Sequence, residues 1–140
     1  MQEQSIFELQ KKMKSGELTA LQLTELFFER IDSSDTNGPR LNSIIGMNPE
    51  AAAIASSLDR ERAAGKVRSL LHGIPILLKD NIDTHDGMQA TAGSLAMEGN
   101  IASRDAFIVK QLRKAGAIIL GKTNLSEWAN FHGKNSISGW

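Results

Sequence analysis

Cysteine is absent from the 140 residues, so the chain can build neither a disulfide framework nor a thiolate zinc site. A surplus of one charge is absent too: 16 basic residues balance 16 acidic ones, without runs of like sign. Nothing therefore forms the basic stripe that nucleic acid or an anionic membrane requires. No apolar run approaches bilayer length, and the opening MQEQSIFELQKKMKSG is polar and amphipathic, without the apolar core of a secretory signal. A soluble cytoplasmic protein is expected, with no nucleic-acid or membrane partner. A leader removed ahead of residue 1 would leave no trace. His72, His85 and His132 are scattered, with no pair one helical turn apart, which argues against a histidine zinc site. The acidic stretch KDNIDTHDG fails as a calcium loop: with Gly87 as the loop glycine, Ile82 occupies the first ligand position and no Glu closes the loop. No metal or cofactor is expected.

What remains has the size of one domain, able to bury roughly two-thirds of the surface of its unfolded form. Thr19 followed by Gln22 suits a capping box, and Leu23, Leu26, Phe27 and Ile31 recur at helical spacing, predicting a helix over Ala20 to Ile31. SSDTNGP then breaks the chain. Asn48 as cap, with Pro49 at the first helical position, predicts a second helix running to Gly65. LLHGIPILLKDNID reads as a buried strand between loops, and the long segment from Asp86 to Arg104 reads as a loop of the kind that covers a functional site. Ser103 or Asp105 should cap a third helix with Ile108 and Leu112 on its inner face, Gly116 should stop it, and AIIL should follow as a strand. One short helix is expected from about Leu125 to Phe131.

GAIILGKT, from Gly116 to Thr123, matches the spacing of a phosphate-binding loop, G-x-x-x-x-G-K-[ST]. The order of elements rejects it. Such a loop needs a strand before its first glycine and a long helix after its lysine, whereas here a helix precedes and strand residues fill the loop. Lys122 is thereby left without a phosphate role. Lys79 attracts more attention, because it follows Ile76, Leu77 and Leu78 directly and a lysine at the end of a buried strand can be desolvated. The ordinary alternative is a strand-end lysine that marks the exit to solvent.

Three blocks then occur in a fixed order: GIPILLKDNID, the TAGS of ATAGSLAMEGN, and LRKAGAIILGKTNLSEWANF. Together they resemble the amidase signature family, over most of the chain from LTALQLTELFFERI onward. TNLSEWANF followed by SISGW is more similar to the peptide amidase and other stand-alone amidases than to the tRNA-dependent amidotransferase subunit, whose block carries an acidic residue and Phe. The resemblance implies an α/β fold, the amino-terminal part of a mixed β-sheet covered by helices. It also implies hydrolysis of carboxamide C–N bonds by a Ser, a second Ser with a cis peptide bond, and a Lys.

Carried over by motif, Lys79 is the triad lysine that takes a proton from the bridging Ser. A free lysine is neutral in only about one molecule in 2,500 at pH 7, so a base role needs the apolar surroundings that Ile76 to Leu78 could supply. Asp80 and Asn81 would hold the loop by hydrogen bonds. Thr91, Gly93 and Ser94 of the TAGS loop, with Trp128 and Ala129, are the substrate-side candidates; a core role for the Trp128 indole is the equal alternative. The family's Gly/Ser-rich segment lies beyond the last block, and Ser136 and Ser138 fall in the stretch before it. The expectation is therefore the amino-terminal part of one amidase domain, incomplete and inactive alone. Its partners would be an amide substrate, small or peptide, and the downstream part of the same fold. A non-catalytic split-chain module and an amidotransferase-type fragment are the alternatives. Strands such as AIIL are expected to lack neighbours and to favour self-association.

Overall fold

A computed structural model of the chain describes residues 4–130 and 134–135. Two reciprocal capping boxes start its first helices. In α1 (Ile6–Ser15), the Ser5 hydroxyl accepts from the Glu8 N–H while the Glu8 carboxylate accepts from the Ser5 N–H at 2.7 Å. In α2 (Ala20–Ile31), Thr19 and Gln22 make the exchange that the sequence predicts, at 3.0 and 2.9 Å. The break after α2 is a single π turn, Asp32–Thr36, that buries Asp35. Burial opposes the charge of Asp35, but hydrogen bonds from the Ser43 hydroxyl, the Ser43 N–H and the Ile44 N–H prevail and hold its carboxyl below the usual range. Those bonds fix the start of β1 (Ile44–Met47).

Helix α3 (Ala51–Ala63) corrects the expected cap. It begins at Ala51, two residues beyond the expected start at Pro49, and Glu50 ahead of it makes no side-chain cap. The Asn48 amide donates to the Ile119 carbonyl at 2.7 Å and its oxygen accepts from the Glu50 N–H at 3.0 Å, so it tethers the entry of α3 to the sheet. Next come β2 (Pro75–Lys79), α4 (Phe107–Lys114) and β3 (Ile118–Thr123). The strand order is β1-β3-β2, with β1 antiparallel and β2 parallel to β3, which is the expected mixed sheet. β3 is thus the central strand. Among the described residues the sheet edges are β1 and β2, while the AIIL strand is paired on both sides.

One core joins α1, α2 and α3 to the sheet through Leu9, Met13, Leu23, Leu58, Ile118 and Leu120. A smaller one lies on the other side, where Val109 of α4 and Met88 of the long loop meet Leu78 and Ile119. Alternation along β3 sends Ile118 and Leu120 one way and Ile119 the other, so this strand serves both layers. Three further expectations change. Asp105 does not cap α4; its carboxylate accepts from the His85 N–H at 2.6 Å and from Arg113 at 3.1 Å. Ile108 is half exposed and Val109 is fully buried, which rotates the inner face of α4 by one residue. The predicted helix after Leu125 shrinks to one 3-10 turn, Glu127–Ala129, in which Trp128 and Ala129 take left-handed φ of 54° and 57°; Phe131 lies outside the described residues.

Candidate functional site

The candidate residues lie around the carboxyl end of β2. Lys79 is its last residue and is exposed, as is Leu77, whereas Leu78 and Asp80 are buried on the opposite face. The apolar cover expected around Lys79 from Ile76 to Leu78 is therefore not supplied within the described residues, a consequence of strand alternation that a run of apolar letters conceals. Asn81 is exposed as well.

Asp80 is 1% exposed and organises the TAGS loop. Its carboxylate accepts from the Thr91 N–H at 3.1 Å and from the Thr91 hydroxyl, and its carbonyl accepts from the Ala92 N–H at 3.2 Å. Ala92 in turn receives the Trp128 N–H on its carbonyl at 2.8 Å, and the Ser94 hydroxyl donates to the Glu127 carboxylate at 2.6 Å. Gly93, at φ 71°, is obligatory: a Cβ there would lie 2.8 Å from the Leu125 carbonyl oxygen. Asp80, Thr91, Gly93, Ser94, Trp128 and Ala129 are thus brought together, with Lys79 joined to them through the backbone. Ala92, Trp128 and Ala129 all hold positive φ, a conformation that costs non-glycine residues roughly 1–2 kcal/mol each and collects where a site over-determines the backbone. Trp128 is 59% exposed, so the described residues do not bury its indole.

A residue that sequence reasoning leaves without a role stands directly behind this loop. β3 pairs Ile119 with Ile76 but Gly121 with Leu77, so Leu120 is an extra residue in a bulge. A strict two-residue period from Ile119 would send Gly121 to the face of Leu78; the bulge sends Lys122 there instead. Lys122 is 1% exposed, and its ammonium donates to the Ile82 carbonyl at 2.7 Å and the Gln89 carbonyl at 3.2 Å. Burial pushes it below the usual lysine range, opposed first by the charge of Asp80 and then by Asp86 and Asp83. A cavity of about 150 Å³ opens beside it, lined by Gly46, Met47, Asp80, Gln89, Thr91 and Lys122. The signal available in the sequence is a lysine inside an apolar strand, AIILGK, in a chain that also carries the acidic run KDNIDTHD.

Comparison with known proteins places these residues in a family frame. The family described as Amidase matches residues 22–139. A putative amidase from Schizosaccharomyces pombe is 42% identical over 140 residues, covering 100% of this chain and 24% of its own length. The solved peptide amidase from Stenotrophomonas maltophilia superposes with a TM-score of 0.93 at 51% identity, covering 99% of this chain and 28% of that one. A glutamyl-tRNA(Gln) amidotransferase subunit from Renibacterium salmoninarum is 43% identical over 122 residues, covering 86% of this chain and 23% of its own length. The chain spans about a quarter of the length of the relatives it matches.

Proposed function

Because the chain belongs to the amidase family, we propose that it furnishes the lysine base and part of the substrate wall of an enzyme that hydrolyses carboxamide C–N bonds. The observation that supports this best is the position of Lys79. It stands exposed at the end of β2, next to a buried Asp80 that pins the strained TAGS and Glu127–Ala129 turns. An exposed amine beside a rigid backbone is what a reacting hydroxyl from another segment could approach.

In the proposed reaction, neutral Lys79 takes the proton of a bridging Ser, which takes the proton of the nucleophilic Ser. The nucleophile attacks the amide carbon, the C–N bond breaks, and the leaving amine departs with a proton returned along the same relay. Water then hydrolyses the acyl-enzyme. Both serines and the oxyanion donors would come from chain beyond these 140 residues, as would the cover that keeps Lys79 neutral. The 140-residue chain alone should therefore not turn over amides. Similarity to the peptide amidase favours peptide terminal amides and small carboxamides as substrates.

A chimaera tests this reading. The present chain replaces the equivalent 28% of the peptide amidase, and ammonia release from a peptide amide is followed. Activity that disappears in Lys79→Met supports the assignment. Full activity in Lys79→Met overturns it, and ammonia release by the isolated 140 residues overturns the claim of inactivity.

A further inference from the structure

We propose that Lys122 is a positioning residue for Lys79, its buried ammonium tying together the two ends of the segment from Ile82 to Gln89 so that Asp80 stays locked beneath Thr91. The inference rests on the amide-hydrolysis reading above and goes beyond it. Three independent observations carry it. Lys122 is the bulkiest fully buried side chain among the described residues, and its ammonium ends on two backbone carbonyls seven residues apart in sequence, at 2.7 and 3.2 Å. Both carbonyls belong to the loop that leaves β2 immediately after Lys79 and Asp80 and returns at Thr91. The ladder contact Asp80 N–H to Thr123 carbonyl, at 3.1 Å, fixes that turn to the residue following Lys122.

The backbone around Lys122 shows that its placement is specific. The bulge at Leu120 re-aims it, and a second irregularity, between Ile44 and Gly46 of β1, adjoins the pair Gly46 and Lys122. Gly121 must lack a side chain, because a Cβ there would sit 2.6 Å from the Gly46 carbonyl oxygen. A lysine used only as packing would not need its charge under a loop; an apolar side chain would fill the space without desolvating an ammonium. What the ammonium adds is a donor that reaches both ends of one loop at once. Lys79 lies on the other face of the sheet, so Lys122 touches neither substrate nor reacting atoms and can act only through the Lys79–Asp80 backbone.

The chimaera provides the test. In Lys122→Met, kcat per active site, counted by acylation burst, should fall about 100-fold, the scale of a misplacement of roughly 1 Å, while KM changes less than about twofold. In Lys122→Ala, added propylamine should restore part of kcat by placing an ammonium in the vacated channel. An unchanged kcat per active site with only a lowered unfolding temperature would reduce Lys122 to a structural role and overturn the proposal. Should Lys122→Met fail to accumulate as folded protein, Thr91→Val is read instead. It removes the hydroxyl that donates to Asp80 and accepts from the Gly93 N–H and should lower kcat per active site, whereas full kcat in Thr91→Val would also overturn the proposal. An unsubstituted chimaera that folds but hydrolyses no amide removes the amidase reading and this inference together; an active chimaera indifferent to Lys122 removes only the inference.

Discussion

The two faces of the small sheet are held by different forces. On the face covered by α1, α2 and α3, Leu9, Leu23, Leu58, Ile118 and Leu120 pack against one another, and α1 and α2 bring their own caps. On the other face the apolar cluster is small, and position is set by buried polar groups: Asp80 on Thr91, Lys122 on Ile82 and Gln89, and Arg113 on Asp86 at 2.6 Å. Apolar packing is non-directional and tolerates small shifts, whereas a carboxylate or ammonium in low dielectric demands defined partners at defined distances. The candidate site borders the second kind of face. Lys79 itself projects from the first face, but the groups that hold its strand end, Asp80 and Thr91, belong to the second.

The sharpest way to break this contrast is to damage each face and compare. Ile118→Ala, in the fully buried centre of β3, should cost about 2–5 kcal/mol in urea unfolding through lost burial and the cavity left behind. The loss should appear as global destabilisation, with the slope of the urea transition unchanged. Asp80→Ala should cost somewhat less, about 1–3 kcal/mol, because it leaves the Thr91 donors short of their buried acceptor. Its signature should be local. Amide exchange should quicken at Thr91 and Ala92, and at Trp128 through its bond to Ala92, while the α1–α3 face stays protected. Equal exchange on both faces in the two variants would show that the division of labour is not real.

The first face is the more legible in sequence for the same physical reason. A capping box and a 3.6-residue apolar period are local patterns, so Thr19, Gln22 and Leu23 can be placed without knowing any partner. On the second face the determinants are nonlocal. The sequence around Asp80 suggests a turn-holding acid, but its acceptor oxygens are used 11 residues away. Lys122 is hidden by a spacing that imitates a phosphate loop; the bulge that turns it inward depends on pairing with β2, which no window of β3 reveals. Ile108 and Asp105 mislead similarly, since the Asp105 carboxylate is taken by His85, 20 residues back, and Arg113, eight residues on, instead of capping α4. The order of the three family blocks identifies the overall architecture, while strand alternation decides that Lys79 is exposed.

His72 offers a reversible probe of the boundary between the two faces. It is fully buried, and the Arg68 N–H donates to its Nδ1 at 3.3 Å, which leaves the ring proton on Nε2, 3.0 Å from the Leu58 carbonyl. Burial pushes its pKa below the usual 6.5, with the Leu58 hydrogen bond opposing. Above pH 6.5 the folded and unfolded chains are both neutral here and the contribution to stability is complete. As pH falls below that value the unfolded chain takes up a proton that the folded chain refuses, so stability declines until the folded-state pKa is passed. The unfolding temperature should therefore drop between pH 7 and pH 5, and His72→Gln should flatten that drop. An identical slope in the variant would assign the drop to other groups.

The smallest effect should come from the most legible feature. Thr19→Ala removes the acceptor of the Gln22 N–H at the start of α2 and should cost about 1 kcal/mol. The loss should stay small because Ala20 and Leu21 at the same helix end donate to the Asp59 carboxylate of α3, at 2.8 and 3.0 Å. Two of the four free N–H groups of that turn are therefore satisfied from another helix, whatever occupies position 19. Asp59→Ala alone should consequently destabilise α2 at least as much as Thr19→Ala. The double variant should lose more than the sum, since the turn would then have no acceptor from either source. A simple sum would mean that water replaces both acceptors equally well and that the end of α2 is not part of the rigid apolar face.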